Sequence, residues 1–236
     1  RQIRDAGLVV EEKLGAQMGP PDRATPADRP GTTPDQLAED LLAQGAQLVI
    51  FNSDDMKDAS TTFAQAHPDV PVIMAAQNKG IEVVSEVEIA LRFLPGLKYV
   101  AVTGTNGKTT TTAMVAHLLQ ALERRAVAAG NIGTPLSEIA LQPEPPQWVA
   151  LAVSSYQLHF TPGIRPLVGV LTNVSPNHLD RYRSVDAYYA DKMLLFQNAD
   201  PSSQWVTNRD DPVVQSLSAD VAGVHSRFST AGKADA

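Results

Sequence analysis

Cysteine is absent from the 236-residue chain. That excludes a disulfide framework, a thiolate nucleophile and any metal site built on cysteine. It also fits a cytoplasmic setting. Positive charge is scarce: 19 Lys and Arg stand against 26 Asp and Glu, for a net charge of −7. A balance of that sign argues against a nucleic-acid partner or an anionic membrane surface, though one local basic pocket remains compatible with it. No apolar run reaches the roughly 18 residues that a spanning helix requires, so no membrane insertion is expected. Signal-peptide patterns, internal repeats and low-complexity tracts are missing as well, and the chain opens on Arg1 rather than Met, which reads as a fragment. What is present is globular: 43% hydrophobic and 19% charged residues, with length for one large or two ordinary domains. A monomer is expected.

Residues 1–32 are the least readable part, and "AQMGPPDRATPADRPGTTP" (16–34), rich in Pro, Gly and charge, reads as loop. A helix is expected from Thr33, with Pro34 at its first position, Gln36 closing a capping box and Gly45 ending it. "QLVIF" (47–51) and "PVIMAA" (71–76) read as strands around a helix from Met56. Past "LPG" (94–96) a second unit begins. "KYVAVT", "AVAAG", "QWVALAV", "LVGVLTNV" and "QWVTN" read as strands, the last of these being the final one. Helices are expected over Lys108–Leu122, with Met114, Val115, Leu118, Leu119 and Leu122 on one apolar face, and from Ser184 to about Asn198. Near-continuous apolar strands alternating with helices imply an α/β fold of mostly parallel sheets flanked by helices. The domains are expected at 1–93, a small and atypical Rossmann-like unit, and 94–236, a P-loop-type ATPase unit.

The stretch "VAVTGTNGKTTTTAMV" (100–115) carries the chemistry. A Gly-rich turn directs backbone N–H groups inward, and the following helix adds its positive end. In the short form G-x-x-G-K-T, Gly104, Thr105, Asn106 and Gly107 form the cradle. Lys108 neutralises phosphate, and Thr109 offers a hydroxyl to Mg²⁺. The alternative, a strand–helix loop with a solvated lysine, is disfavoured by the strand before the turn and the helix after it.

Further segments follow in order: "GNIGTPL" (130–136), "VSSYQL" (153–158), "NVSPNHLDRY" (173–182), "YYADKMLLF" (188–196) and "TNRDDP" (207–212). With "TGTNGKTTTT" and "SEVEIALRF" (85–93), the series resembles the Mur ligases. Within them it resembles the branch that adds D-glutamate, to which "SSYQL" points. The resemblance implies a cytoplasmic ligase of cell-wall synthesis that uses ATP and Mg²⁺. It would activate the carboxylate of UDP-N-acetylmuramoyl-alanine as an acyl phosphate, which the amine of D-glutamate then displaces. It implies that Gly104 to Thr110 hold the ATP phosphates and that Thr109 touches the first Mg²⁺. His178 and a carbamylated Lys192 would serve the second Mg²⁺, making Lys108, His178 and Lys192 the catalytic set. Asn131, Thr134, Ser154, Ser155 and Gln157 would line the muramoyl-peptide site, and Asn208 and Asp211 would lie near the nucleotide. Taken alone, a lysine in an amphipathic helix is a solvated lysine, and serines at a strand end are turn formers or caps. His67, His117, His159 and His225 receive no role, and Tyr188 and Tyr189 are expected to pack.

The sequence departs from the Mur pattern at three places. Ala152 stands where the pattern carries an acidic Mg²⁺ ligand, and Asn177 replaces the carboxylate before His178. Residues 36–76 resemble a segment of nucleoside-binding lipoproteins of the periplasmic-binding-protein type, and the C-terminal domain of the Mur pattern is missing. Impaired ligase activity is therefore expected. A non-catalytic nucleotide- or nucleoside-binding remnant is the alternative. A folate-polyglutamate-type ligase is argued against by "SSYQL" and "SEVEIALRF".

Overall fold

The computed structural model describes residues 82–177 and 182–232, together with Gly80 and the strands Val9–Val10 and Leu48–Phe51. The helix expected from Thr33, the helix from Met56, the strand "PVIMAA", most of the lipoprotein-like segment and His178 lie outside the described residues. The chain divides into two compact units, Arg1–Ser85 and Glu86–Ala236.

In the first unit, β1 (Val9–Val10), β2 (Leu48–Phe51) and β3 (Glu82–Ser85) form a parallel sheet in that order. β1 precedes the stretch that reads as loop and lies where the sequence offers no readable element. Its two β-branched residues sit opposite Val49 and Ile50, a pairing preference that two residues cannot announce by periodicity.

The second unit starts with α1 (Glu86–Phe93), whose Val87 and Ala90 enter the core of this unit. A boundary drawn at residue 93 therefore differs from the observed division by this helix. The elements that follow are β4 (Lys98–Thr103), α2 (Lys108–Ala121), β5 (Ala126–Gly130), α3 (Leu136–Ala140), β6 (Trp148–Ala152), α4 (Ser155–His159) and β7 (Val168–Leu171). After them come α5 (Val185–Met193), a 3-10 turn (Leu194–Phe196), β8 (Gln204–Asn208), α6 (Pro212–Ser218) and β9 (Val224–Phe228). The six strands pair in parallel in the order β5-β6-β4-β7-β8-β9. "QWVTN" is thus not the last strand. β9 lies at the sheet edge, with Val224 52% exposed, and its polar middle offers no apolar alternation to read.

Period-two alternation distributes the strand side chains between two layers. Tyr99 and Ala101 of β4 join Val149 and Leu151 of β6 in the larger core with α1, α3 and Trp205, while Val100 and Val102 pack with Val170 on the other face. On α2, Thr112 and Ala116 are buried, and Met114, Leu118 and Leu122 are 58–69% exposed. The single apolar face expected for this helix is corrected accordingly. Its apolar arc is wider than the stripe that meets the sheet, so composition alone misplaced the contact line.

Candidate phosphate-binding site

β4 leads through α2 to β5 on one side of it, and β7 pairs on its other side. The carboxyl end of β4 is therefore a topological switch point, where an open α/β sheet leaves a crevice for ligands. The Gly104–Gly107 loop lies there. Gly104 has φ 148° and Gly107 φ 82°, conformations that side chains avoid. No side chain caps α2, and its first bond from the loop runs from Thr111 N to Gly107 O. The amides of Lys108, Thr109 and Thr110 are the orphan donors of this helix start, aligned with its dipole.

The segment after β7 holds the loop from behind. Thr105 N donates to Asn173 O at 2.9 Å. Asn106 N donates to Asn173 Oδ1 at 2.9 Å, and Asn173 Nδ2 returns a bond to Asn106 O at 3.0 Å. Thr172 Oγ1 donates to Asn106 O at 2.7 Å. Thr105 Oγ1 donates to Ser175 O and accepts from Ser175 N. With its only proton so used, it accepts from the Tyr188 hydroxyl at 3.2 Å. Tyr188 therefore packs, at 1% exposure, and also touches the loop.

Two lysines converge on one oxygen. Lys108 Nζ donates to Gly104 O at 2.9 Å and Thr105 O at 3.2 Å, and Lys192 Nζ donates to Gly104 O at 3.0 Å. Lys192 is not solvated: it is 2% exposed, and its ammonium lies 4.7 Å from the centre of the Tyr188 ring. Burial, and then the neighbouring charge of Lys108, bring its pKa down to about 7 against the pull of Asp191. Burial also lowers Lys108. Two lysine nitrogens sharing one carbonyl beside the open amides of α2 concentrate positive potential at the loop.

The residues expected on the muramoyl side are arranged differently. Asn131 N donates to Ala152 O at 2.9 Å, and Gly130 N to Thr134 O at 3.0 Å, which folds the 131–134 turn onto the ends of β5 and β6. Ser154 caps α4. Its Oγ accepts from Gln157 N at 3.2 Å, while Gln157 Oε1 accepts from Ser154 N at 3.0 Å. Ser155 is buried, as is Gln157. Ala152 is fully buried at the end of β6, opposite Val102. Among the described residues no cluster of three or more His, Cys, Asp or Glu side chains could hold a metal ion. Asn208 Oδ1 accepts from Asp210 N, and both carboxylate oxygens of Asp211 accept backbone N–H groups.

Sequence reasoning missed four participants. Thr172, Asn173 and Ser175 lie about 70 positions from the loop they hold, beyond any local pattern. His159 Nδ1 lies 2.8 Å from Asp191 Oδ1, joining α4 to α5, and that hydrogen bond raises the His159 pKa. No helix among the described residues is long and apolar enough to cross a membrane.

A parallel sheet with this strand order, a glycine-rich loop at the end of β4 and a lysine buried behind it define an α/β unit of the phosphate-loop type. Residues 102–236 match the Mur ligase middle domain, and the chain belongs to the Mur ligase family. It is similar to UDP-N-acetylmuramoylalanine–D-glutamate ligases of two bacteria. With that of Anaeromyxobacter dehalogenans it shares 46% identity over 168 residues, covering 71% of this chain and 36% of that protein. With that of Pelotomaculum thermopropionicum it shares 38% over 229 residues, covering 94% and 48%. The chain thus spans less than half the length of these relatives. A MurF ligase from Thermotoga maritima in complex with ADP shares the fold, with TM-score 0.53 at 20% identity over 80% of this chain and 48% of that one.

Proposed function

We propose that this chain is the nucleotide-binding part of an ATP-dependent amide ligase that joins D-glutamate to UDP-N-acetylmuramoyl-alanine in peptidoglycan precursor synthesis. One observation carries the reading. The uncapped start of α2 offers its amides beside Lys108 and Lys192, which share Gly104 O. Gly104 to Thr110 would cradle the β- and γ-phosphates, with Lys108 leaving Gly104 O for a phosphate oxygen. Transfer of phosphate to a carboxylate brings two anions together, and a cationic, preorganised cradle lowers the cost of that approach.

The fit to Mg²⁺ is thinner. Thr109 supplies a hydroxyl, Ala152 presents a methyl group, and no cluster of three or more His, Cys, Asp or Glu among the described residues joins them. Phosphate oxygens would then be the main ligands, as is usual for this ion, with His178 as a further candidate. When bound, Mg²⁺ supplies charge neutralisation at the phosphates. Lys192, with a pKa near 7, presents a neutral amine to CO₂ over much of the physiological range. Forming its carbamate from the neutral amine adds CO₂ at Nζ, releases one proton and would place an anionic oxygen donor there. Asn131 and Thr134, on the 131–134 turn, are proposed to meet the muramoyl peptide, while Ser154, Ser155 and Gln157 shape the neighbouring start of α4. Asn208 and Asp211 are not asked to touch nucleotide, because their acceptors are engaged within the fold. The buried methyl of Ala152 favours one second reading, in which nucleotide is bound without turnover.

The test is calorimetric titration of the 236-residue chain with ATP and Mg²⁺ beside Lys108→Ala. Binding at least tenfold weaker in the variant is expected, since a charged hydrogen bond contributes about 1.5–3 kcal/mol. Equal heats would remove the phosphate-loop reading.

A further inference from the structure

Glycines at 104 and 107 give the phosphate loop its shape but no preference for it, because glycine populates many conformations at similar cost. The shape must be imposed from outside, and Asn173 supplies three of the bonds that do so. It occupies Thr105 N through its carbonyl, and Asn106 N and O through its side-chain amide. Asn173 is in turn held by its neighbour: Val174 N donates to Asp211 Oδ2 at 2.9 Å. The other oxygen of Asp211 is committed to α6, accepting from Val213 N at 3.0 Å and Val214 N at 3.1 Å. One carboxylate therefore fastens the start of α6 to the strand end that braces the loop.

We infer that Asn173 and Asp211 are positioning residues for the nucleotide. Asp211 fixes Val174, this fixes Asn173, and Asn173 holds Thr105 and Asn106 so that the following amides converge on phosphate. Neither side chain contacts the nucleotide in this arrangement. Their contribution is preorganisation, which lowers the ordering cost of binding. The inference rests on the nucleotide-binding reading above, and its test separates the two.

Residue-resolved amide exchange is measured on the ligand-free chain, alongside ATP–Mg²⁺ calorimetry. Asp211→Asn keeps one carbonyl oxygen for the α6 cap but places an NH₂ where Val174 N needs an acceptor. Val213 and Val214 are then expected to stay protected, while Val174, Thr105 and Asn106 exchange about tenfold faster and ATP binds about tenfold more weakly. Asn173→Ala removes only the side-chain amide and is expected to do the same at Asn106, without moving Thr105, whose acceptor is the backbone carbonyl, or Val213 and Val214. Asn173→Asp retains the acceptor for Asn106 N and is expected to recover protection there. Unchanged exchange at Thr105 and Asn106 in Asp211→Asn would overturn the relay. Faster exchange with unchanged ATP affinity would overturn the positioning role. A wild-type chain that takes up no ATP would end the nucleotide reading, while the exchange data still decide whether the brace exists.

Discussion

The two sides of the crevice use side chains in opposite ways. Behind the phosphate loop, Thr172, Asn173, Ser175 and Tyr188 bind the loop and leave the amides at the start of α2 without a cap. At the ends of β5 and β6, Ser154 and Gln157 bind each other's backbone and close the start of α4. The first region spends side chains to keep backbone donors open, and the second spends them to close donors off. An anion fits the first because backbone amides carry fixed partial charge and need no rearrangement on binding. On the second side the start of α4 offers no open donors, and the neighbouring 131–134 turn, with Asn131 and Thr134, holds the groups to test.

The comparison breaks most severely at Gly104. A Cβ there would fall on Thr172 Oγ1 and lie 3.2 Å from the backbone N and O of Asn173, at φ 148°. Gly104→Ala must therefore push the brace away as well as adopt a strained backbone. A stability loss of about 3 kcal/mol or more in denaturant unfolding is expected, with ATP binding lost. Gly107→Ala is the control, since its nearest obstacle is Thr111 Oγ1 at 4.0 Å. It carries only the left-handed strain of about 1–2 kcal/mol. Equal costs for the two would mean that Thr172 and Asn173 do not press on the loop.

Lys192 breaks the comparison through pH. The unfolded chain keeps this proton up to the ordinary lysine value of 10.5, whereas the folded chain releases it near 7. Between those values the unfolded state holds more protons, so stability rises with pH. Below about pH 7 both states are protonated, and the folded state bears the full cost of a buried ammonium. Lys192→Met removes the titrating group and keeps the volume. The expected result is a gain of a few kcal/mol at pH 6 that shrinks toward pH 10, read as unfolding free energy across that range. A parallel pH profile in the variant would show that the buried amine does not titrate as described.

These sites differ in how far the sequence revealed them. The phosphate loop was legible because glycine, lysine and threonine at fixed spacing dictate a local backbone. The parallel sheet was legible because its strands are apolar on both faces, as Ala101 and Val102 show. The brace was not legible: Asn173 reads as the tail of an expected strand, "LVGVLTNV", with nothing to mark its partner until β7 is placed beside β4. Lys192 stands out only through the Mur resemblance; taken alone it reads as solvated, because helical periodicity cannot register a partner 88 positions away at Gly104. The turns α3 and α4, of five residues each, are too short for periodicity to detect. On α2 the reverse happened, since Met114, Leu118 and Leu122 supplied a convincing pattern that faces outward.

The smallest expected effect sharpens the muramoyl side. Ser154→Ala removes the oxygen that accepts Gln157 N and leaves the return bond from Ser154 N to Gln157 Oε1. Loss of such a cap costs about 1 kcal/mol, measurable as a lower denaturant midpoint. Aspartate caps as well as serine does, so Ser154→Asp should restore the midpoint. The two roles for this residue then part. If Ser154 acts by shaping the turn, Ser154→Asp also restores affinity for UDP-N-acetylmuramoyl-alanine in titration. If its hydroxyl meets that ligand directly, the added charge beside an anionic substrate leaves stability restored and affinity lost, and the turn would then have to be counted among the groups that touch substrate.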